Sequence, residues 1–462
     1  MSKPIIVPYN FTQTDINTKT DSELIEEGQR LGIDADQATV EHFTAHRRNL
    51  KKIMDVRNSL LYKRLLKVKR QRMSKSAFAF FRGTVDLMNY DFDQLYQSDI
   101  RVLIGGDAHL GNFGYYGSPE GQLLFDMNDF DESHVGHWEY DVKRLLISAV
   151  LVAKQQGFDI EKQVLPHLAV VMKTYLNTLI HLHELPAIER FTATNTMENI
   201  AATFDVLNGN KDAFDDSYTK LVSKTVKKAI GSNSDYAVKK YTELVDGKRR
   251  FIEKEPVTVH VGAKTYGRLA NGYYRYRGKS RSDVREFLSQ FHIVDIVRHV
   301  VGVGSVGTLC YLILLENPNG DYHVLQVKQA LPIYQNSMVY VDKKHSPGEE
   351  IVNCQRVLQS SSDTFLGYFD TKKYSYYVRQ FKDMKGSVKL EKLDWGAFCD
   401  YVSVCMSLLA RAHSQSPTYP MIIGYLQSHD WMLAAFGEFA NNYVNQVELD
   451  YQTFIKGEHD GK

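Results

Sequence analysis

The chain of 462 residues carries 56 basic and 55 acidic side chains, and its hydrophobic fraction of 43% is ordinary for a globular protein. Because the positive and negative charges nearly balance, we expect neither nucleic acid nor an anionic membrane as a partner. Its apolar runs are too short to span a bilayer, its N-terminus lacks the apolar core of a signal peptide, and its four cysteines are widely spaced, so we expect reduced thiols and a cytoplasmic protein.

Changes in sequence pattern divide the chain into four predicted regions. Residues 1–35 are polar and carry early prolines, which predicts a loosely held N-terminal arm. Residues 36–250 show apolar residues at three- and four-residue steps and predict a helical lobe, with short strands between 101 and 130. Residues 251–386 are rich in Val, Ile, Leu and Tyr and predict a β-rich lobe. Residues 387–462 return to helical periodicity.

Two features of the first helical region carry positive charge. Six Lys or Arg residues lie between Lys63 and Arg72, and we interpret this run as the solvated face of a helix. Arg82 follows a compact aromatic segment. We interpret it as a structural hydrogen-bond donor at a turn, with contact to a phosphate as the alternative.

An acidic centre is predicted between residues 104 and 131. Asp107 and Asn112 follow one apolar strand, and Asp129 and Asp131 follow another. Mg²⁺ prefers such oxygen ligands, usually one or two carboxylates completed by substrate phosphates. We therefore expect Asp107 to be the catalytic base that takes a proton from an acceptor hydroxyl. The expected metal ligands are Asn112, Asp129 and Asp131.

Three neighbouring side chains have roles that the sequence leaves open. We interpret His109 as a catalytic residue that orients the loop, with a general-base role as the alternative. Asp126 is a candidate for a further metal ligand. Asp141, at the start of the next helical segment, either caps that helix or braces the catalytic loop through a hydrogen bond.

A candidate phosphate-binding loop lies far downstream, in the β-rich region. It reads Gly302-Val-Gly304-Ser305-Val-Gly307 and lies between two strand-like segments, whereas a dinucleotide-binding fingerprint would lead into a helix. A glycine loop between two strands is typical of kinases, in which the backbone N–H groups of a hairpin cover the nucleotide phosphates. We therefore expect these residues to bind the phosphates of ATP or GTP.

Lys328 is the expected partner of the same phosphates. It lies on a strand after the predicted hairpin turn Asn317-Pro-Asn-Gly320, and a lysine within an apolar strand is costly unless its ammonium finds a partner. In kinases a Glu of the next helix holds this Lys. Glu349, Glu350 and Gln355 are the candidates here, and we count Gln355 among the nucleotide-binding residues.

These motifs resemble known families. Gly-Gly-Asp107-x-His109-x-x-Asn112 is similar to the catalytic loop of aminoglycoside phosphotransferases and choline-kinase-like enzymes, although Gly105 stands where those enzymes carry a histidine. Together with Asn-Asp-Phe-Asp-Glu, Val-Gly-Ser-Val-Gly-Thr and Leu-Ala-Arg-Ala-His413, the segment resembles the bacterial DUF2252 family more closely. The first resemblance implies a protein-kinase-like fold with Mg²⁺ and a nucleotide.

The order of the motifs differs from that of an ordinary kinase, in which the glycine loop and the Lys precede the catalytic Asp. We therefore predict an α+β, kinase-like two-lobe fold with permuted chain order. The helical catalytic lobe comes first, the β-rich nucleotide lobe second, and the C-terminal helices complete the helical lobe. Such a permutation is physically plausible because domain termini usually lie at the surface, often close together.

The expected function is a Mg²⁺-dependent phosphotransferase that moves phosphate from ATP or GTP to a hydroxyl of a small molecule or a protein. Two alternatives are open. One is a nucleotide-binding regulatory module of the pseudokinase type, without turnover. The other is a metal-dependent phosphoesterase, a chemistry that usually places several His and Asp ligands around two metals.

Overall fold

The computed structural model of the protein describes residues 19–44, 48–207, 214–231, 234–300, 306–335, 338–339, 345–381 and 384–459. Within these ranges the chain is mostly helical, and its helices are, in order, α1 (Asp21–Ile33), α2 (Gln37–Glu41), α3 (Leu50–Leu60), α4 (Leu66–Met73), α5 (Ala77–Arg82), α6 (Val85–Phe92), α7 (Trp138–Gln156), α8 (Leu165–Glu184), α9 (Ala187–Thr192), α10 (Met197–Leu207), α11 (Asp216–Ile230), α12 (Ser234–Tyr241), α13 (Ala263–Lys279), α14 (Ser282–Ser289), α15 (Pro347–Leu358), α16 (Trp395–His413), α17 (Tyr419–Leu426) and α18 (Met432–His459).

The strands form one large sheet and four short pairs. They are β1 (Arg101–Ile104), β2 (Phe113–Gly117), β3 (Leu123–Met127), β4 (His134–His137), β5 (Thr242–Val245), β6 (Lys248–Phe251), β7 (Thr258–His260), β8 (His292–His299), β9 (Cys310–Glu316), β10 (Tyr322–Ala330), β11 (Tyr334–Gln335), β12 (Met338–Val339), β13 (Gly367–Asp370) and β14 (Ser375–Gln380). The architecture is therefore a mixed α+β fold, as the sequence predicts.

The helical part is built around α7, α8, α16 and α18, which pack against one another. Helix α7 is buried from residue 138 to 153, and its second half, residues 145–153, is almost entirely apolar, as expected of a helix packed on all sides. Trp138 begins it in the core, with ring centroids 5.8 Å from Tyr175 on α8 and 5.3 Å from Phe436 on α18. The C-terminal helices thus share one hydrophobic core with the first helical region.

Six antiparallel strands make the large sheet, in the order β13-β14-β10-β9-β8-β7. The predicted turn between β9 and β10 is confirmed: the Asn317 side-chain oxygen accepts hydrogen bonds from the backbone N–H groups of Asn319 and Asp321. Lys328 lies on the central strand β10, opposite Cys310 of β9 and Tyr377 of β14. Helix α15 follows β10 in the chain and packs against β10, β13 and β14.

Two antiparallel pairs in the helical part carry the acidic motifs. Strand β1 pairs with β4, and β2 pairs with β3. The segment 105–112 connects β1 to β2, and the segment 128–133 connects β3 to β4. Because β1 pairs with β4 and β2 pairs with β3, each of the two loops runs between the same two strand pairs.

One predicted element needs correction. The arm predicted for residues 1–35 is wrong for its second half, since α1 is a capped helix that packs on α17 through small residues. The strand-like segment before the glycine loop is β8, which ends at His299, and residues 301–305 lie outside the described ranges. Among the helices that the structure describes, none is long and apolar enough to cross a membrane.

The contact between α1 and α17 depends on two glycines. A Cβ at Gly28 would lie 1.9 Å from the Met421 carbonyl oxygen, and a Cβ at Gly424 would lie 1.9 Å from that of Ile25. Neither carbonyl can move without displacing its helix. Glycine is therefore required at both positions for the two backbones to approach this closely.

We predict that Gly28→Ala lowers the free energy of unfolding by about 1–3 kcal/mol, because the added methyl group overpacks this contact. Denaturant unfolding measures the change. Gly278→Ala is the matched control, since Gly278 is also helical but has open space around its Cβ position. That substitution should be neutral or stabilise the protein by up to about 1 kcal/mol. Equal effects of the two substitutions would contradict the packing account.

Candidate functional site

The loop that carries Asp107 is held by a carboxylate from α7. Asp141 accepts hydrogen bonds from the backbone N–H groups of Gly105, at 2.6 Å, and Gly106, at 2.8 Å. Gly106 has φ +74°, and a Cβ there would lie 2.1 Å from the Glu132 carbonyl oxygen, so only glycine fits. Asp141 therefore braces the loop that carries Asp107, which is one of the two roles that the sequence left open.

A histidine from the C-terminal region supports this brace. His413, fully buried on α16, places Nε2 3.4 Å from the second oxygen of Asp141, Oδ2. Its Nδ1 lies 2.6 Å from the Tyr175 hydroxyl on α8. His413, 272 positions from Asp141 in the chain, thus contacts the residue that holds the Asp107 loop.

Asp107 is fixed by an arginine that the sequence analysis did not identify. Arg144, fully buried on α7, donates from Nε to Asp107 Oδ1 at 2.5 Å and from its terminal nitrogen to the Phe81 carbonyl oxygen at 3.0 Å. Burial raises the pKa of Asp107 to about 6, against the opposing effect of Arg144. With Oδ1 held in this way, Oδ2 is the atom that can meet a substrate.

His109 is buried beside the same carboxylate and is held in its neutral form. Its Nε2 accepts a hydrogen bond from Arg82 Nε at 3.3 Å, so the ring proton lies on Nδ1. Burial, with the charges of Arg82 and Arg144, lowers its pKa well below the usual value. This arrangement fits an orienting role better than a general base. It also gives Arg82 the structural role expected of it.

Asn112 ties the two acidic loops together. Its side-chain amide nitrogen donates to the carbonyl oxygens of Asp107, at 3.1 Å, and Asp129, at 2.9 Å. Both amide hydrogens are used in this way. The side-chain oxygen is therefore the atom with which Asn112 could contact a ligand.

Lys328 meets the second acidic loop from the large sheet. Its ammonium forms ion pairs with Asp131 Oδ2 and, at 3.4 Å, with Asp129 Oδ1. Lys328 and Asp129 are 199 positions apart in the chain. The Lys328 side chain is 1% exposed. Burial would lower its pKa, but Asp129 and Asp131 raise it well above the usual value, so the ammonium stays charged.

The two carboxylates respond differently to this environment. Burial opposes ionisation of both, but Lys328 and Arg379 hold the pKa of Asp129 below its usual value. The pKa of Asp131 is raised by burial and by the charge of Asp129. Asp131 also accepts a hydrogen bond from the Tyr377 hydroxyl at 2.8 Å. Asp129 is therefore the more acidic of the pair and, with 40% of its side chain exposed, the more accessible.

Helix α15 contacts the site in a different way from that expected. The Gln355 amide donates to Gln359 at 2.9 Å, and the Gln359 amide donates to the Met127 carbonyl oxygen at 3.0 Å. Gln359, supported by Gln355, thus fixes the end of α15 to the end of β3, and the Lys328 ammonium is held by the aspartates. The expected contact between Gln355 and Lys328 does not match this arrangement.

Asp126 does not belong to the metal-binding side of its loop. It is fully buried and accepts hydrogen bonds from Asn195 Nδ2, the Ser360 N–H and the Met127 N–H, all within 2.9 Å. These donors satisfy the carboxylate inside the protein. Asp126 therefore holds the β3 end against neighbouring segments, and its candidacy as a metal ligand is corrected.

Only the end of the predicted phosphate loop is described. Gly302, Gly304 and Ser305 lie outside the described residues. Gly307 has φ +112°, and its carbonyl oxygen accepts a hydrogen bond from the Tyr62 N–H at 2.7 Å. A Cβ at Gly307 would lie 2.8 Å from Leu61. Glycine is thus required at this position by both conformation and space.

Five of the predicted site residues line one cavity of about 180 Å³. It brings Asp107, His109 and Asn112 together with Asp129 and Asp131, and Thr308 lies at its edge. Three cations also line it, from the N-terminal helices: Arg57, Lys69 and Arg82. The predicted acidic centre is therefore a single cavity with both carboxylates and cations in its wall.

The ligand set suits Mg²⁺ only together with a phosphate. In the described part of the chain, no group of three or more His, Cys, Asp or Glu side chains is placed to hold a metal ion by itself. Mg²⁺ commonly binds through one or two carboxylates and completes its shell with water and substrate phosphates. Asp129, Asp131 and the Asn112 oxygen match that pattern.

Comparison with known proteins gives one match. The family model described as "Uncharacterized protein conserved in bacteria (DUF2252)" matches residues 61–457, which include every site residue named above except Arg57. No curated protein and no solved structure matches the chain.

The brace formed by Asp141 can be tested by amide hydrogen exchange. In Asp141→Asn, the amides of Gly105 and Gly106 should exchange at least about tenfold faster, since a hydrogen bond to a charged group contributes about 1.5–3 kcal/mol. Asp159→Asn is the control, because Asp159 caps an exposed turn and accepts from the Lys162 N–H. Unchanged protection of the two glycine amides in Asp141→Asn would show that the loop is held by other contacts.

Proposed function

The chain belongs to the DUF2252 family, and we propose that it is a Mg²⁺-dependent phosphotransferase of kinase-like fold that moves phosphate from ATP or GTP to a hydroxyl group. One observation carries the proposal: the buried Lys328 ammonium of the sheet lies against Asp129 and Asp131 of the acidic loop. A phosphate-binding Lys and metal-binding acids have to meet in this way, because both act on the same phosphates.

The topology around Lys328 supports a kinase-like fold. The glycine-rich segment lies between β8 and β9, Lys328 on the next strand, and α15 follows that strand and packs against it. Protein kinases place a glycine-rich loop, a strand lysine and a helix in the same order. In the helical part, the Asp107 loop, the β2–β3 hairpin and the Asp129 loop also follow the order of kinase catalytic and metal-binding loops.

The contacts of α16 support the permuted chain order. This helix lies after the sheet in the chain, yet its last residue, His413, contacts the Asp141 carboxylate that holds Gly105 and Gly106. In the ordinary order of kinase elements such a helix would lead directly into the catalytic loop. Here a helix near the end of the chain lies next to a loop from its first third.

In the proposed mechanism, the charged groups of the site exchange their contacts with one another for contacts with the nucleotide and Mg²⁺. Without ligands, the two aspartates and Lys328 compensate one another, which keeps the cost of burying each charge low. With nucleotide bound, Lys328 would turn to a phosphate oxygen. Asp129 and Asp131, with the Asn112 oxygen, would hold Mg²⁺, which supplies charge stabilisation to the phosphates.

The transfer step assigns a role to each remaining group. The acceptor hydroxyl would donate a hydrogen bond to Asp107 Oδ2 and give up its proton there as its oxygen bonds to the γ-phosphorus. The bond from that phosphorus to the bridging oxygen breaks, and the nucleoside diphosphate leaves. Arg144 keeps Asp107 in position, and neutral His109 orients the loop without exchanging a proton.

A nucleotide-binding module without turnover is the second candidate. It is favoured by the Lys328 contacts, because the ammonium pairs with the metal-binding aspartates and the Gln355 amide bonds to Gln359. A product assay separates the two functions. The phosphoesterase alternative is weaker, since within the described ranges there is no cluster of His and acidic ligands for two metals.

The proposal predicts nucleotide-dependent stabilisation that requires both halves of the site. At about a hundred times its Kd, Mg·ATP or Mg·GTP should add about 2.7 kcal/mol to the free energy of unfolding of the wild type. Asp129→Asn and Lys328→Met should lose most of this gain, because each removes a partner of the same phosphates. Thermal unfolding with and without nucleotide and Mg²⁺ measures the effect.

Lys372→Met is the matched control, because Lys372 is exposed on the turn between β13 and β14. It should keep the full nucleotide effect. Circular dichroism of each variant without ligand identifies loss of folding, and Asp129→Asn tests the site if Lys328→Met is unstable. Stabilisation that is absent in the wild type, or equal in all variants, would refute a shared nucleotide site.

A further inference from the structure

A second group of cations reaches the cavity from the N-terminal helices. Arg57 lies on α3, Lys69 on α4 and Arg82 on α5. We call these three residues the cationic wall. They do not come from the sheet that carries Lys328. The transfer mechanism described above uses none of them to hold the nucleotide.

Two members of the cationic wall already have partners. Arg57 forms a two-atom ion pair with Glu132 and lies 3.9 Å from Asp86. Arg82 donates to His109. These contacts account for the burial of both guanidinium groups without any ligand.

Lys69 differs because its charge is balanced only in part, by carboxylates that its ammonium does not contact directly. The residue is 6% exposed, yet among the described residues its ammonium donates no hydrogen bond and has no carboxylate within 4 Å. Burial and the nearby charge of Arg57 lower its pKa to about 8, against the attraction of Asp86 and Glu132. A buried, unpaired ammonium is costly, and replacement by an apolar residue would remove that cost. The interpretation of this run as a purely solvated face is therefore wrong at Lys69.

The position of α3 and α4 places Lys69 in the wall of the cavity that also contains Asp107. The connection between the two helices touches the end of the glycine loop, where the Tyr62 N–H donates to the Gly307 carbonyl oxygen. Lys69 lines the same cavity as Asp107. It also lines a groove of about 1370 Å³ along α3, α4 and α18. A molecule in the groove could therefore reach Asp107 past Lys69.

We propose that Lys69 binds an anionic group, a phosphate or a carboxylate, of the molecule that accepts the phosphoryl group. This inference rests on the proposed phosphotransferase function and names its acceptor class: a small molecule that carries an oxyanion as well as a hydroxyl. The cavity that contains Asp107 binds the reacting hydroxyl and the oxyanion of the acceptor, and the groove binds the rest of the acceptor molecule. Lys69 is a substrate-binding residue in this account, separate from the nucleotide clamp Lys328.

Sulfate is the probe for the oxyanion site, measured by calorimetric titration with and without a saturating non-hydrolysable ATP analogue and Mg²⁺. Wild-type protein should bind sulfate in both conditions. Lys69→Met should weaken sulfate binding by about tenfold or more while changing the affinity for the analogue by less than about twofold. Lys67→Met is the matched control, since Lys67 is an exposed lysine of the same helix, and it should leave both affinities unchanged.

The pH dependence gives a second readout that a structural role of Lys69 would not produce. Sulfate does not titrate between pH 7 and 9.5, whereas Lys69 loses its proton near pH 8. Since the ammonium is the binding form, sulfate affinity should be highest below pH 8 and fall as the pH rises through that value. The residues facing Lys69 are Arg57, Asp86 and Glu132, and burial raises the pKa of Glu132 to about 7, so Glu132 is mostly ionised by pH 8. Lys69→Met should therefore show a flat profile from pH 8 to 9.5.

The outcomes separate this inference from the proposed function. Sulfate binding without acetate binding would identify a phosphate-bearing acceptor, and acetate binding would identify a carboxylate; both support the inference. Competition between sulfate and the analogue, or weaker analogue binding in Lys69→Met, would assign Lys69 to the nucleotide site and overturn it. Absence of sulfate and acetate binding would also overturn it. If the analogue fails to bind while sulfate binding still depends on Lys69, the phosphotransferase function fails, and with it the acceptor role of this anion site.

Discussion

The buried contact of Lys328 with Asp129 and Asp131 is the interaction on which the arrangement of the site depends. A lysine in the centre of a sheet is strongly unfavourable unless carboxylates meet it, and two carboxylates in one buried loop repel each other unless a cation lies between them. Each half of the cluster therefore requires the other. Because the lysine belongs to the sheet and the acids to the helical part, their contact also sets how these parts of the fold face each other.

The second constraint is the brace beneath the catalytic loop, which combines residues from distant parts of the chain. Asp141 holds the loop through Gly105 and Gly106, and His413 from α16 contacts Asp141. The segment that carries Asp107 is thus positioned by one helix that follows it closely and another near the end of the chain.

The sequence predicted those parts of the fold that depend on local patterns. The strand of Lys328, the turn at Asn317 and the presence of a helix after them were predicted, since alternation, turn residues and helical spacing are local signals. The acidic residues of the cavity were also found, because their spacing is a short motif. Asp126 was misassigned because a motif does not reveal which of its acids turns toward the protein interior.

What the sequence did not predict depends on long-range packing. The docking of α1 on α17 requires two glycines to meet a backbone from another helix, and no local pattern reports that contact. Arg144 and Lys69 lie among other basic residues, so their burial becomes evident only when the neighbouring helices are in place. Residues that line the cavity beyond the motifs could therefore be recognised only in the structure.

We propose that Asp129, Asp131 and Lys328 hold one metal–nucleotide complex. A crystal structure of the protein with Mn²⁺ and a non-hydrolysable ATP analogue, with the metal located by its anomalous scattering, tests this proposal. We expect a metal peak beside the Asp129 carboxylate and the Lys328 ammonium turned from Asp131 toward a phosphate oxygen. Metal and nucleotide bound elsewhere, with the ion pairs between Lys328 and the two aspartates intact, would contradict it.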